Sequence, residues 1–293
     1  MNRAVIQNRF LRVEAEERGA QLLSIRTADG VEFLWQGDPA YWPDRAPNLF
    51  PYVARLTEGS YYLDGLLYHM DIHGFAPYLD FALKEQTPTR LVFELTSSKR
   101  TLAAYPRAFA FRVIYKLEDS GLSITYEVEN RDERIMYFGL GAHPGFRVPL
   151  RAGKQFRNYR LRFEAPCHPR RIGFTDDCFL DGTDQAFPLE GNQLLPLSHS
   201  LFDDDAIVLK KVGHRVTLET AGDTRSVSVE FPDMDYLGLW HMPRTDAPYV
   251  CIEPWCSLPS VKGKIAVFEK QSDLIVLHSN KIYRNTWSIK ISV

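Results

Sequence analysis

Three short stretches hold the residues whose types and spacing could do chemistry: DIHGFAP (71–77), GLGAHPGF (139–146) and APYVCIEPW (247–255). In the second, His143 stands among glycine, alanine and proline. Alternate residues of a strand share a face, so Gly139, Gly141 and His143 are expected to lie together, leaving a floor open enough for a flat molecule. Pro144 holds His143 extended. In the third stretch Tyr249, Cys251 and Glu253 share one face and Val250 and Ile252 the other. Both faces are apolar, as for a strand covered on two sides. A carboxyl group in such a strand must be paired or must shift its pKa upward. An arginine partner would be the structural explanation for Glu253, and a base of raised pKa the functional one. In the first stretch His73 precedes Gly74, where backbone can approach a ligand closely; a turn histidine bonded to backbone is the alternative.

Two histidines and a glutamate on separate segments suit either a metal ion or acid–base catalysis. Metal sites usually carry two ligands at close spacing, and these candidates are scattered. His69 and His73 are four apart, but that spacing serves a metal on a helix, and YHMDIHGF reads as strand then turn. No metal and no cofactor is expected.

The elements that must position these residues are strands. In FAFRVIYKL (109–117) Phe109, Phe111, Val113, Tyr115 and Leu117 alternate with Arg112 and Lys116, and LSITYEVEN repeats the pattern after Asp119-Ser120-Gly121. Asp29-Gly30 and Asp64-Gly65 are hairpin signals, because the glycine accepts positive φ. Further strands are expected at RLVFEL, SVSVEF, YVCIEP and TWSIKISV. Helical periodicity is almost absent, and 18 prolines and 18 glycines interrupt most windows. The expected fold is all-β, a large antiparallel β-sandwich with few or no long helices. With no repeat and no linker, one domain over residues 1–293 is expected.

The 293 residues are 45% apolar and 25% charged, with a net charge of -2, ordinary for a globular chain with a core. That balance predicts no affinity for nucleic acid or anionic membrane. No apolar run is long enough to span a bilayer, and the charged N-terminus lacks the apolar region of a secretory leader. The four cysteines have no metal-ligand rhythm and are expected reduced, in the cytoplasm.

HGFA (73–76), YPRAFAFRVIYKL (105–117), GAHPGFRVP (141–149) and APYVCIEPW (247–255) occur in the order found in aldose 1-epimerases. The chain resembles most the LacX-type branch of galactose mutarotase-like proteins, and RAPNLFPYVARL (45–56) is similar to an early segment of that family. The resemblance implies a large antiparallel sandwich, anomer interconversion of a hexose, Glu253 as general base and His143 as general acid. It also implies that Arg55, His73 and an aspartate of LFDDDAIVLK, Asp204 or Asp205, bind the sugar. Trp240, Phe75 and Tyr249 are candidates for contact with a sugar face. Departures from the branch, Pro77 after HGFA and CSLPS (256–260) after Glu-Pro-Trp, bear on which sugar fits. The expected partner is a small sugar, with the protein a monomer or homodimer. Two other readings remain: a non-catalytic carbohydrate-binding protein, and a glycoside-cleaving enzyme pairing Glu253 with one of Asp203–Asp205.

Overall fold

The computed structural model describes residues 2–293. A nine-stranded sheet and an eight-stranded sheet dominate it, with strands pairing antiparallel within both. Among the described residues the one α-helix is the six-residue segment Lys99–Ala104. The all-β expectation therefore holds. The Phe109–Glu118 and Gly121–Asn130 strands form the anticipated hairpin. Ser60–Leu63 and Leu66–His69 flank Asp64 and Gly65, both at positive φ.

One apolar core joins the two large sheets. Phe111, Tyr126 and Ile289 reach it from the nine-stranded sheet, and Ile207, Leu237, Val250 and Ile252 from the eight-stranded one. Strand alternation then decides where chemistry can sit. In the Tyr249–Trp255 strand all seven residues are buried. Val250 and Ile252 belong to the core between the sheets, while Tyr249 and Cys251 pack among Trp35, Trp42 and Trp240, and Trp255 among Leu49, Val53 and Val208. Glu253 thus lies on the face turned away from the inter-sheet core, beneath the loops that cover it.

Those loops are tied down by buried polar contacts. Asn48, on a short edge strand of the eight-stranded sheet, donates to the carbonyls of Gly19 and Ala20 and to the Tyr115 hydroxyl, and accepts from the Tyr126 hydroxyl at 2.8 Å. One amide so links the edge strand, the N-terminal loop and two strands of the opposite sheet. Asn48→Ala would leave these buried partners unsatisfied, at a cost on the order of 1–3 kcal/mol. Urea unfolding should show that loss; an unchanged midpoint would mean the network contributes nothing.

Candidate active site

His143 and Glu253 meet because of strand register. The Gly141–Ala142 and Gly145–Arg147 segments both pair with Tyr249–Trp255, Gly141 opposite Trp255 and Gly145 opposite Cys251. The register is the same on both sides of the break between them, so His143 stands across from Glu253. Pro144 has no N–H to continue the ladder, although its carbonyl still accepts from Ile252 at 3.1 Å. The His143 and Gly145 amides turn the other way, to the carbonyls of Pro47 and Arg45. His143 Nε2 lies 3.3 Å from Glu253 Oε2.

The two glycines beside His143 serve a different purpose from the open floor expected of them. A Cβ on Gly141 would come within 2.8 Å of the Trp255 indole, and one on Gly139 within 2.2 Å of Ser257 Oγ. The vacated space is filled by protein: Gly141 admits the indole that walls the pocket, and Gly139 admits the Ser257 side chain. Gly238, opposite Glu253 on the other side, does the same: its Cβ would sit 3.1 Å from Trp255 and 3.2 Å from the Glu253 Cβ.

His73 is held in an unusual backbone conformation, with φ of 64° followed by 75° at Gly74. A Cβ on Gly74 would come within 2.3 Å of the Phe50 carbonyl oxygen, so only glycine fits. The His73 amide donates to the Ala54 carbonyl, and the Ala54 amide donates to His73 Nδ1 at 3.1 Å. Burial, helped by the charge of Arg55, lowers the His73 pKa to about 4. The ring is therefore neutral, and with Nδ1 accepting, its proton is on Nε2 as a hydrogen-bond donor. Its ring centre is 5.6 Å from that of His143. Arg55 is exposed, its carbonyl receiving the Ser260 amide at 3.0 Å. Ser260 Oγ also accepts from the Thr57 amide, so CSLPS braces the Arg55 loop.

Together these groups surround a cavity of about 290 Å³, the low end of the range for small-molecule sites, roughly 300–1,000 Å³. Glu253, His143, His73, Arg55, Asp204 and Asp205 all line it. Asp205 is half-buried, accepting from the Cys178 thiol at 3.2 Å and from the Ala206 amide at 2.8 Å, whereas Asp204 is exposed at the rim. Of the aromatic candidates, Trp240 lines the cavity. Phe75 packs in the core against Phe50 and Phe109, and Tyr249 is buried against Trp35 and Trp42.

Several lining residues went unassigned in the sequence. Trp42 stacks on the His143 ring with centres 4.8 Å apart, and Trp255, Phe174 and Cys178 form other walls. Trp255 lay inside a motif already singled out. Trp42 carries no local signal beyond its neighbouring proline.

Burial shifts both members of the central pair toward neutrality. The Glu253 pKa is raised well above 4.5, first by desolvation and then by the Asp205 charge, with a contact from Trp255 opposing. His143 is lowered well below 6.5, by desolvation and by His73. Burial thus favours the neutral acid at Glu253 and the neutral imidazole at His143. Cys251 Sγ completes a trio with His143 and Glu253 whose ligand atoms lie within 4.8 Å of one another. A cation there would require the thiol and the carboxylic acid both to lose protons that burial holds on them.

An all-β sandwich with these pocket elements is a galactose mutarotase-like fold. The chain belongs to the aldose 1-epimerase family, whose model matches residues 3–290. It is 33% identical over 266 residues to the chromosomally encoded protein LacX of Lactococcus lactis subsp. lactis, covering 86% of this chain and 87% of that one. Its fold is similar to that of a galactose mutarotase related enzyme from Lactobacillus acidophilus, at a TM-score of 0.94 and 31% identity, over 99% of this chain and 97% of that one. A galactose mutarotase-like protein from Lactobacillus casei ATCC 334 matches at 0.92 and 29% identity, over 99% and 100% of the two chains.

Gly141→Val should displace the Trp255 indole while the sandwich remains folded. Tryptophan fluorescence should shift as the indole moves. Unchanged fluorescence would mean the glycine is not what seats that wall.

Proposed function

We propose that the chain interconverts the α and β anomers of a hexose, with Glu253 as general base and His143 as general acid. The observation that carries this reading is the side-by-side placement of the two groups, 3.3 Å apart at the inner end of a small pocket. Mutarotation acts on two oxygens bonded to one carbon, so its base and acid must be neighbours. A glycoside-cleaving enzyme would instead pair Glu253 with a second carboxylate at roughly 5–9 Å; Asp205 lines the same cavity and its charge reaches Glu253, but the group in contact with Glu253 is the His143 imidazole.

In the reactive tautomer the shared proton sits on His143. Glu253 removes the proton of the anomeric hydroxyl, the C1–ring oxygen bond breaks, and the ring oxygen takes the proton from Nε2. The open aldehyde turns about C1–C2, and the reverse transfers close the ring as the other anomer. Ring opening moves the proton from His143 to Glu253, the arrangement burial favours, and closure returns it. His73 Nε2–H and the Arg55 guanidinium donate to sugar hydroxyls, and Asp205 and Asp204 accept from them.

Activity belongs to the one-proton form, so the pH–rate profile should be bell-shaped. On the acid side the pair gains a second proton at His143, whose lowered pKa sets that limb below pH 6.5. On the alkaline side it loses its last proton, and the raised Glu253 pKa sets that limb well above pH 4.5. An acid limb above 6.5 would contradict the assignment.

Anomer exchange followed by polarimetry from pure α-D-galactose and α-D-glucose tests the reading. Wild type should accelerate it, and Glu253→Gln and His143→Asn should each lose about 10²–10⁴-fold. Sugar binding without acceleration would make the protein a binder, and full activity in Glu253→Gln would remove Glu253 as base.

A further inference from the structure

Beside the catalytic pocket runs a second depression that shares Phe174, Thr175, Asp204 and Asp205 with it. Its outer wall is the hairpin of Arg170–Phe174 and Leu180–Ala186, at the edge of the eight-stranded sheet. The hairpin register shifts between Ile172 and Phe174. At Gly173 a Cβ would come within 2.2 Å of Thr183 Oγ1 and 2.3 Å of an Asp181 carboxylate oxygen. The bulged Asp181–Thr183 segment therefore folds over Gly173, and Asp181 and Thr183 line the depression.

From this continuity we propose that the depression is a subsite for a second sugar ring, and that the preferred substrate is the reducing end of a 4-linked disaccharide or longer saccharide. The proposal rests on the mutarotase reading of the Glu253–His143 pair. That pair lies at the buried end of the pocket, and Asp204 is exposed at its rim. A pyranose with C1 against the pair has C4, directly across the ring, nearest the rim. A substituent on C4 leaves through the boundary formed by Phe174, Thr175 and Asp204.

The depression offers what a neutral sugar needs. Arg171, Gln185 and Arg244 line it, and among the described residues none of their side chains is engaged in a hydrogen bond or ion pair. Planar donors and acceptors of this kind suit vicinal hydroxyls, and the half-buried Phe174 ring presents an apolar face. Charge separates a neutral saccharide from a phosphosugar. Asp176, Asp181, Asp203, Asp204 and Asp205 face only two guanidinium groups in this depression, a balance that repels a phosphate dianion.

The test compares kcat/KM for anomer exchange of glucose with maltose, cellobiose and glucose 6-phosphate, and of galactose with 4-linked galactobiose. The wild type and the Arg244→Ala/Gln185→Ala double variant, which alters only the outer depression, are both assayed. The proposal expects at least one disaccharide to exceed its free reducing-end sugar tenfold or more. In the double variant that advantage should fall to threefold or less, while free-sugar rates stay unchanged. Free sugars turned over as fast as every disaccharide, an advantage untouched by the double variant, or glucose 6-phosphate as the best substrate would each overturn the subsite and leave the mutarotase reading standing. No acceleration with any of these sugars would overturn both.

Discussion

The site depends on one constraint of strand pairing: two short segments on either side of Pro144 hold the same register against Tyr249–Trp255. A slip of one residue would turn His143 to the opposite face of the sheet, toward the core that Val250 and Ile252 fill. Pro144 interrupts the ladder where His143 must leave it, and the His143 and Gly145 amides find carbonyls in the preceding loop instead. That loop brings Trp42 onto the imidazole, its own carbonyl accepting the Trp35 indole N–H at 2.8 Å. His143, its contact with Glu253 and one wall of the pocket thus come from a single arrangement of backbone.

Burial gives the pair its electrostatic character. Each group alone would be costly in its ionised form so far from water. Side by side, the two groups are each pushed toward the neutral form, Glu253 upward and His143 downward. Asp205 adds to the rise at Glu253, and the Cys178 thiol, itself pushed up to about 12 by burial and by Asp205, stays protonated and steadies that carboxylate. His73 is kept neutral by the same environment and can donate without adding a charge beside His143.

Much of this was legible in the sequence because it is local. Two-residue alternation revealed the strands and put Glu253 on a face with Cys251. Gly74 after His73 was read as backbone free to approach a ligand, and what it approaches is the Phe50 carbonyl. The four polar sugar-binding candidates, Arg55, His73, Asp204 and Asp205, do line one cavity. Gly139 and Gly141 were read correctly as space and wrongly as space for a ligand, because a sequence records a missing side chain but not its neighbour. Trp42, Phe174 and Cys178 escaped for a related reason: they meet the pair through loops distant in the chain, and no periodicity encodes such an encounter. The neutrality of His143 was equally hidden, since it follows from desolvation and from His73, not from anything beside it in sequence.

The most direct measurement is a crystal structure of Glu253→Gln with an aldose bound. The account predicts C1 at the inner end of the pocket, its hydroxyl against the residue 253 side chain and the ring oxygen within hydrogen-bonding distance of His143 Nε2. A sugar bound with C1 at the rim, or with both oxygens remote from His143, would contradict the central claim that this pair acts on the anomeric centre.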